Sequence, residues 1–201
     1  MRRYCSPVPT PPLGDERRAA IADAAIHLVA TKGLRGLTHR AVDAEAGLPP
    51  GSTSYYLRTR DALLTACVDR MVQRDLAGGP LPAAADLPDL LVMLVIGTAS
   101  SRPDDLLARY ELSLEAVRRP GLRAALVESG TRLREMLAGA LAEYGVPDAA
   151  AAAWPVAAML DGLMYDRVAG AGSSLGDEEF AGAVRRTVDG LLAGLRASAP
   201  R

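Results

Sequence analysis

The residues with the most chemistry to offer lie between Thr38 and Arg60. Thr38, His39 and Arg40 set a hydroxyl, an imidazole and a guanidinium side by side. Further on, Pro50-Gly51-Ser52-Thr53-Ser54-Tyr55-Tyr56 supplies small residues, hydroxyls and two phenols, and Arg60 follows. Hydroxyls and N–H donors of this kind bond phosphate oxygens and base edges. Pro50 and Gly51 allow close approach of a backbone. The chemistry is recognition, not bond breaking. His27 and His39 fall on different helices, and no Ser-His-Asp grouping, phosphate-cradling glycine loop or Cys/His cluster accompanies them. Neither Cys5 nor Cys67 has the spacing of a metal site or a disulfide framework. The chain therefore reads as a non-enzyme without metal or cofactor.

The elements that must position these residues are short. Leu37–Leu64, LTHRAVDAEAGLPPGSTSYYLRTRDALL, reads as two brief helices joined by a glycine turn, with a third helix behind them. An earlier helix spans about Asp15–Thr31, with Ile21, Ala24, Ala25, Leu28 and Val29 at helical spacing and Gly33 as its stop. Thr38 is a good N-cap, and Leu37 and Val42 are placed for a hydrophobic staple. That helix ends near Ala46. Ala44 and Ala46 are small, Val42 and Leu48 are apolar, and Gly47 permits a positive φ at the turn. The next helix spans about Pro50–Leu57, and another starts after Thr59, a second N-cap. This is the layout of a helix-turn-helix, whose second helix points its N-terminal residues into the major groove.

The same run resembles the TetR family of bacterial transcriptional regulators. The resemblance rests on Thr38 opening a helix, the Ala46-Gly47 turn, the helix ending in Tyr55-Tyr56, and the series Thr59–Leu64. It implies contacts residue by residue. Thr38 and His39 would touch phosphate, with Arg40 beside them. Ser52, Ser54 and Tyr55 would face bases. Tyr56 would meet phosphate, and Arg60 stands where the family has a lysine that grips phosphate. Three positions depart from the pattern. Asp43 replaces a small residue and must face solvent or find a basic partner. Thr53 replaces an apolar residue, and its hydroxyl needs a partner such as the carbonyl one turn back. Ser54 replaces a common tyrosine. One of the two tyrosines could equally be a packing residue, and Leu57 is one.

Composition fits an all-α fold. The chain has 201 residues, 49% of them hydrophobic but only 4% aromatic, with Ala and Leu prominent. Residues 1–76 carry eleven basic and eight acidic residues, a net of +3, and residues 77–201 carry twelve and sixteen, a net of −4. The basic end is the helix-turn-helix end, a weak agreement with nucleic-acid binding. Residues 1–14 read as a Pro-rich disordered arm, 15–62 as the DNA-binding domain and 63–201 as a C-terminal ligand-binding and dimerisation domain. A break at Gly78–Pro82 precedes helices over about Leu87–Ser101, Asp104–Arg118, Leu122–Tyr144, Asp148–Ala169 and Asp177–Ala197, which makes nine. No signal segment or membrane-length apolar run is evident, so a cytoplasmic location with no membrane partner is expected.

The resemblance further implies a homodimer on a palindromic operator, an inducer pocket in the C-terminal core, and dimerisation through the last two helices. Val156, Leu160 and Leu163, with Val184, Val188, Leu191 and Leu195, follow helical spacing and could form the seam or a core within one subunit. Trp154, Ala158, Asp161 and Tyr165 form a second stripe, expected to face inward. Asp161 sits among aliphatic residues and needs Arg109, a tyrosine hydroxyl or a ligand. Arg109, Tyr110, Ser113, Trp154, Asp161 and Tyr165 are thus the ligand candidates. The resulting reading is a repressor released from DNA by an unknown small molecule. An activator or ligand-independent regulator is the alternative, and a helical interaction protein without DNA binding is more remote.

Overall fold

A computed structural model describes residues 13–76 and 86–197. The expectations for the N-terminal arm, with Cys5, and for the break at Gly78–Pro82 lie outside these residues. The described residues form nine α helices and no strand: α1 Leu13–Gly36, α2 His39–Glu45, α3 Ser52–Tyr56, α4 Arg60–Leu76, α5 Leu87–Ser101, α6 Pro103–Ala116, α7 Pro120–Glu143, α8 Ala149–Ala169 and α9 Asp177–Ala197. A 3-10 turn at Ala171–Ser174 joins α8 to α9.

The N-terminal helices close as their capping residues dictate. Gly33 breaks α1 with φ 64°, and a short helical turn completes the element. Thr38 Oγ1 accepts the Ala41 N–H at 3.1 Å, and Thr59 Oγ1 accepts that of Ala62 at 3.1 Å. Leu37 and Val42 are fully buried, as a staple requires. Gly47 turns the chain with φ 63°.

Two apolar cores result. The first joins Ile21, Leu28 and Val29 of α1 to Val42 of α2, Leu57, and Leu63, Leu64 and Cys67 of α4. It also takes in Ala108, Leu112 and Ala116 of α6 and Leu122 of α7, so the recognition head rests on the helices behind it. The second core lies among α5, α8 and α9, with Leu106, Leu141 and Val146.

Charged residues fasten α1, α4 and α6 together. Asp23 of α1 accepts from Arg70 at 2.5 Å and pairs with Arg74 at 2.9 Å, both on α4. Arg74 also pairs with Asp105 of α6. Arg102 and Arg109 reach Asp75 of α4 at 2.9 and 3.1 Å. Asp105 is buried, and that burial raises its pKa against the pull of the surrounding arginines. His27 of α1 meets Asp104 of α6 at 2.7 Å and Glu45 of α2 at 3.7 Å.

Candidate functional site

The centre of the recognition head is Asp43, and it does neither thing expected of it. It is 4% exposed, and among the described residues no basic group forms an ion pair with it. Its Oδ2 accepts the Gly51 N–H at 2.7 Å. Its Oδ1 accepts the Thr53 N–H at 2.7 Å and the Thr53 hydroxyl at 2.6 Å. α3 has only a glycine at its own N-cap, so a carboxylate from α2 satisfies its first free N–H groups. Burial works to raise the Asp43 pKa. The Thr53 hydroxyl, the Thr53 and Gly51 N–H groups and the charge of His39 together outweigh burial and hold it below the usual carboxylate range. Thr53 has the partner its hydroxyl needs, though not the carbonyl one turn back. Its hydroxyl turns to Asp43, and it is the Ser52 hydroxyl that donates to the Pro49 carbonyl, at 2.6 Å.

This cap fixes the start of α3 and aims it. Pro50 and Gly51 lie in the turn before α3, where Gly51 adopts φ 92°, and Leu57 follows the helix end. Pro50, Gly51, Ser54 and Tyr55 are exposed, while Ser52 is half-buried. The two tyrosines divide the work. Tyr55 is 76% exposed, its ring edge-on to Tyr56 at 5.0 Å. Tyr56 packs against the first core, and the Arg18 guanidinium lies over its ring at 5.8 Å. Arg18 also donates to the Tyr56 carbonyl at 3.3 Å.

The basic and hydroxyl residues around this edge are not equivalent. Thr38 and Arg40 are exposed, and Thr38 keeps its hydroxyl proton because the oxygen only accepts from Ala41. His39 donates from Nε2 to the Leu57 carbonyl at 2.7 Å, which fixes the proton on that nitrogen and ties α2 to the end of α3. Arg60 donates to the Leu34 and Leu37 carbonyls at 2.5 Å each. The residue expected to grip phosphate therefore fastens the α1–α2 corner to α4. Arg58 was not singled out in the sequence. It is exposed beside Tyr56, with no hydrogen bond or ion pair among the described residues. A basic residue two positions after the aromatic pair was the available signal.

The C-terminal helices reverse the expected faces of α8. Val156 and Leu160 are 0% and 4% exposed and belong to the second core, with Leu163 packed against it. Trp154 is 67% and Tyr165 48% exposed, and Ala158 and Gly162 lie on the same outward stripe. Val184 and Val188 of α9 are fully buried, and Leu191 and Leu195 pack partly against that same core. Four of the seven residues weighed for a seam, Val156, Leu160, Val184 and Val188, are thus buried in the core of one chain, and Leu163, Leu191 and Leu195 pack against it while partly exposed. The reason is steric fit: Ala152, Ala153, Val156, Leu160 and Met164 present a small-to-medium apolar face to the second core, which leaves the bulky Trp154 outside.

The ligand candidates separate in the same way. Arg109 is held by Asp75, not by Asp161. Ser113 and Trp154 are exposed, and neither faces the core. Tyr110, Asp161 and Tyr165 come together. The Tyr110 hydroxyl donates to Asp161 Oδ1 and to the Asp161 carbonyl, both at 3.2 Å. The Tyr110 and Tyr165 rings meet edge-on at 5.0 Å. Burial, then the Asp161 charge, pushes the Tyr110 pKa upward, so it stays a hydroxyl donor. Among the described residues no group of His, Cys, Asp and Glu could hold a metal ion, and no helix is long and apolar enough to cross a membrane.

Known proteins share this layout. Residues 82–194 match the family model of the tetracyclin repressor-like C-terminal domain. The HTH-type transcriptional regulator BetI of Rhizobium meliloti is 30% identical over 153 residues, covering 73% of this chain and 75% of that protein. A solved transcriptional regulator from Rhodococcus sp. Rha1 superposes with TM-score 0.77 at 21% identity, over 89% of this chain and 97% of that one. The multidrug binding protein EbrR, solved with ethidium, superposes with TM-score 0.65 at 30% identity, over 87% and 98%. The capped helix-turn-helix at one end and the matched helical domain at the other have one common reading: the chain belongs to the TetR family of DNA-binding transcriptional regulators.

Proposed function

We propose that the chain is a homodimeric repressor that reads a palindromic operator with α3 and leaves it when a small molecule binds the C-terminal helices. One observation carries the reading: the buried Asp43 cap holds Ser54 and Tyr55 outward on a helix end with exposed Pro50 and Gly51 beside it. Ser52, Ser54 and Tyr55 are assigned to base edges. Thr38, His39, Arg40 and Tyr56 are assigned to phosphates, and Arg58 joins them. Arg60 would reach phosphate only with the N–H groups that Leu34 and Leu37 leave over.

The second copy is assigned to the outward face of α8 and α9. Trp154, Ala158, Gly162 and Tyr165 form a stripe there, and Gly190 and Gly194 are exposed on α9. A large ring beside small residues is suited to close helix packing across a two-fold axis. The partly exposed Leu163, Leu191 and Leu195 stay with the seam, whereas Val156, Leu160, Val184 and Val188 belong to the core. Residues 15–62 would then be the reading domain and 63–201 the regulatory one, in a cytoplasmic protein. The Tyr110-Asp161-Tyr165 cluster is the ligand candidate, and the related EbrR, solved with ethidium, supports a small-molecule ligand. A ligand must favour one head placement by about 1–3 kcal/mol to release DNA. α4 would transmit it, because Arg70 and Arg74 tie α4 to α1 while Arg74 and Asp75 tie it to α6.

Selection of bound duplexes from a random pool tests this reading. It should return an inverted repeat with half-site centres about 34–36 Å apart, or a multiple of that. Trp154→Asp should give a monomer in sedimentation and weaken binding to the repeat roughly hundredfold. A single protomer bound tightly to an unrepeated site would contradict it.

A further inference from the structure

We propose that the cleft between α6 and α7 binds an amphipathic organic monoanion, a carboxylate carried on a short apolar body. The cleft is open to solvent along one side and offers about 360 Å³, at the low end of the range for ligand sites. Val117, Leu126 and Val127 make its apolar walls, and its polar groups are the Ser113 hydroxyl and the guanidinium groups of Arg123 and Arg134. Val117 and Val127 are 71% and 57% exposed, so apolar surface stands open there.

The arginines set the sign of the ligand. Elsewhere on α5–α9 most arginines already hold a carboxylate, as Arg119 holds Glu115, Arg132 holds Glu128 and Arg167 holds Asp177. Arg123 and Arg134 hold none among the described residues. Arg134 donates only to Thr131 Oγ1, at 3.1 Å, with its guanidinium folded back over Gly130. Glu115, close by in α6, is engaged by Arg118 and Arg119 at 2.6 Å each. Two uncompensated positive charges thus line an apolar cleft. Guanidinium forks bind carboxylates through paired, charge-assisted hydrogen bonds. A cation would meet two like charges, and a hydrated inorganic anion would leave the valine walls unused.

A second cleft, of about 340 Å³, shows the contrast. It lies by Asp86, Tyr144 and α9, and both its arginines are already engaged within the chain. Arg185 pairs with Asp89 at 2.6 Å and Asp189 at 3.8 Å, and Arg196 lies over the Tyr144 ring at 5.0 Å.

The α6–α7 cleft also shares a wall with the recognition head. Ala116 and Leu126 line it, and both take part in the core built with α1, α2 and α4. An occupant that spreads α6 from α7 would press on that core. Its effect on DNA binding rests on the repressor reading above; the binding itself does not.

Calorimetry on the full chain tests the site, with octanoate, octanol, octyltrimethylammonium and inorganic phosphate as probes. Octanoate should bind saturably, and the other three should bind roughly tenfold more weakly or not at all. The double variant Arg123→Gln/Arg134→Gln should lose roughly tenfold or more in octanoate affinity, while Arg186→Gln on α9 should keep it. Circular dichroism checks that both variants fold. No saturable octanoate binding, equal binding by the double variant, or equal binding of octanol or the ammonium would overturn the proposal. Octanoate binding without a change in DNA affinity would keep the site and overturn its coupling to the head. Octanoate binding by a chain that selects no DNA would overturn the repressor reading instead.

Discussion

Asp43 and Asp161 sit in opposite halves of the molecule, each among apolar neighbours, and the fold treats them differently. Asp43 accepts three hydrogen bonds of 2.6–2.7 Å, two of them from backbone N–H groups, and is almost fully buried. Asp161 is half-buried and accepts one tyrosine hydroxyl at 3.2 Å. A carboxylate has about four acceptor positions, so Asp161 keeps capacity that Asp43 has used. The exposed rings follow the same division. Tyr55 stands on a short helix capped from beneath, whereas Trp154 stands exposed on a long helix face. The edge assigned to reading DNA is held in place from beneath, and the face assigned to a second copy is exposed.

Removing each carboxylate should expose that difference. Asp43→Asn leaves buried N–H donors facing an amide and should cost about 3 kcal/mol in urea unfolding, with operator binding weakened alongside. An Asp161→Asn variant equally destabilised would break the comparison. Gly51→Ala should come next. A side chain there has room, but φ 92° strains any L-residue, so a loss of about 1–2 kcal/mol is expected in the same assay. Tyr110→Phe should be mildest, at about 0.5–1 kcal/mol, since only a long hydrogen bond goes.

Acid sharpens the contrast further. The folded-state pKa of Asp43 lies below its unfolded value, so its stabilisation is complete above the unfolded aspartate value of about 4. It is lost as pH falls through the lower, folded pKa. The wild type should therefore lose stability more steeply in acid than Asp43→Asn does, as measured by urea midpoints across that range.

What the sequence reveals follows from how local each cause is. Thr38, Gly47 and Thr59 act on neighbours within a turn, and their roles are readable from type and position. The span of α9, Asp177–Ala197, is legible for the same reason. Asp43 is not, because its donors Gly51 and Thr53 lie across the turn on another helix. Arg109 is not, because Asp75 belongs to α4. The facing of α8 fails for a different reason. Both its stripes are apolar, so periodicity finds the helix without choosing which side meets the core. Only the fit of Val156 and Leu160 against α5 and α9 decides that.

The central claim is that Ser54 and Tyr55, held out by Asp43, read base sequence. The most direct measurement is the affinity of the Ser54→Ala/Tyr55→Ala double variant for the duplex selected by the wild type, set beside its affinity for mixed-sequence DNA at the same salt concentration. The account predicts a loss of roughly tenfold or more on the selected duplex, with little change on mixed DNA, because phosphate contacts remain. Unchanged affinity for the selected duplex would contradict it.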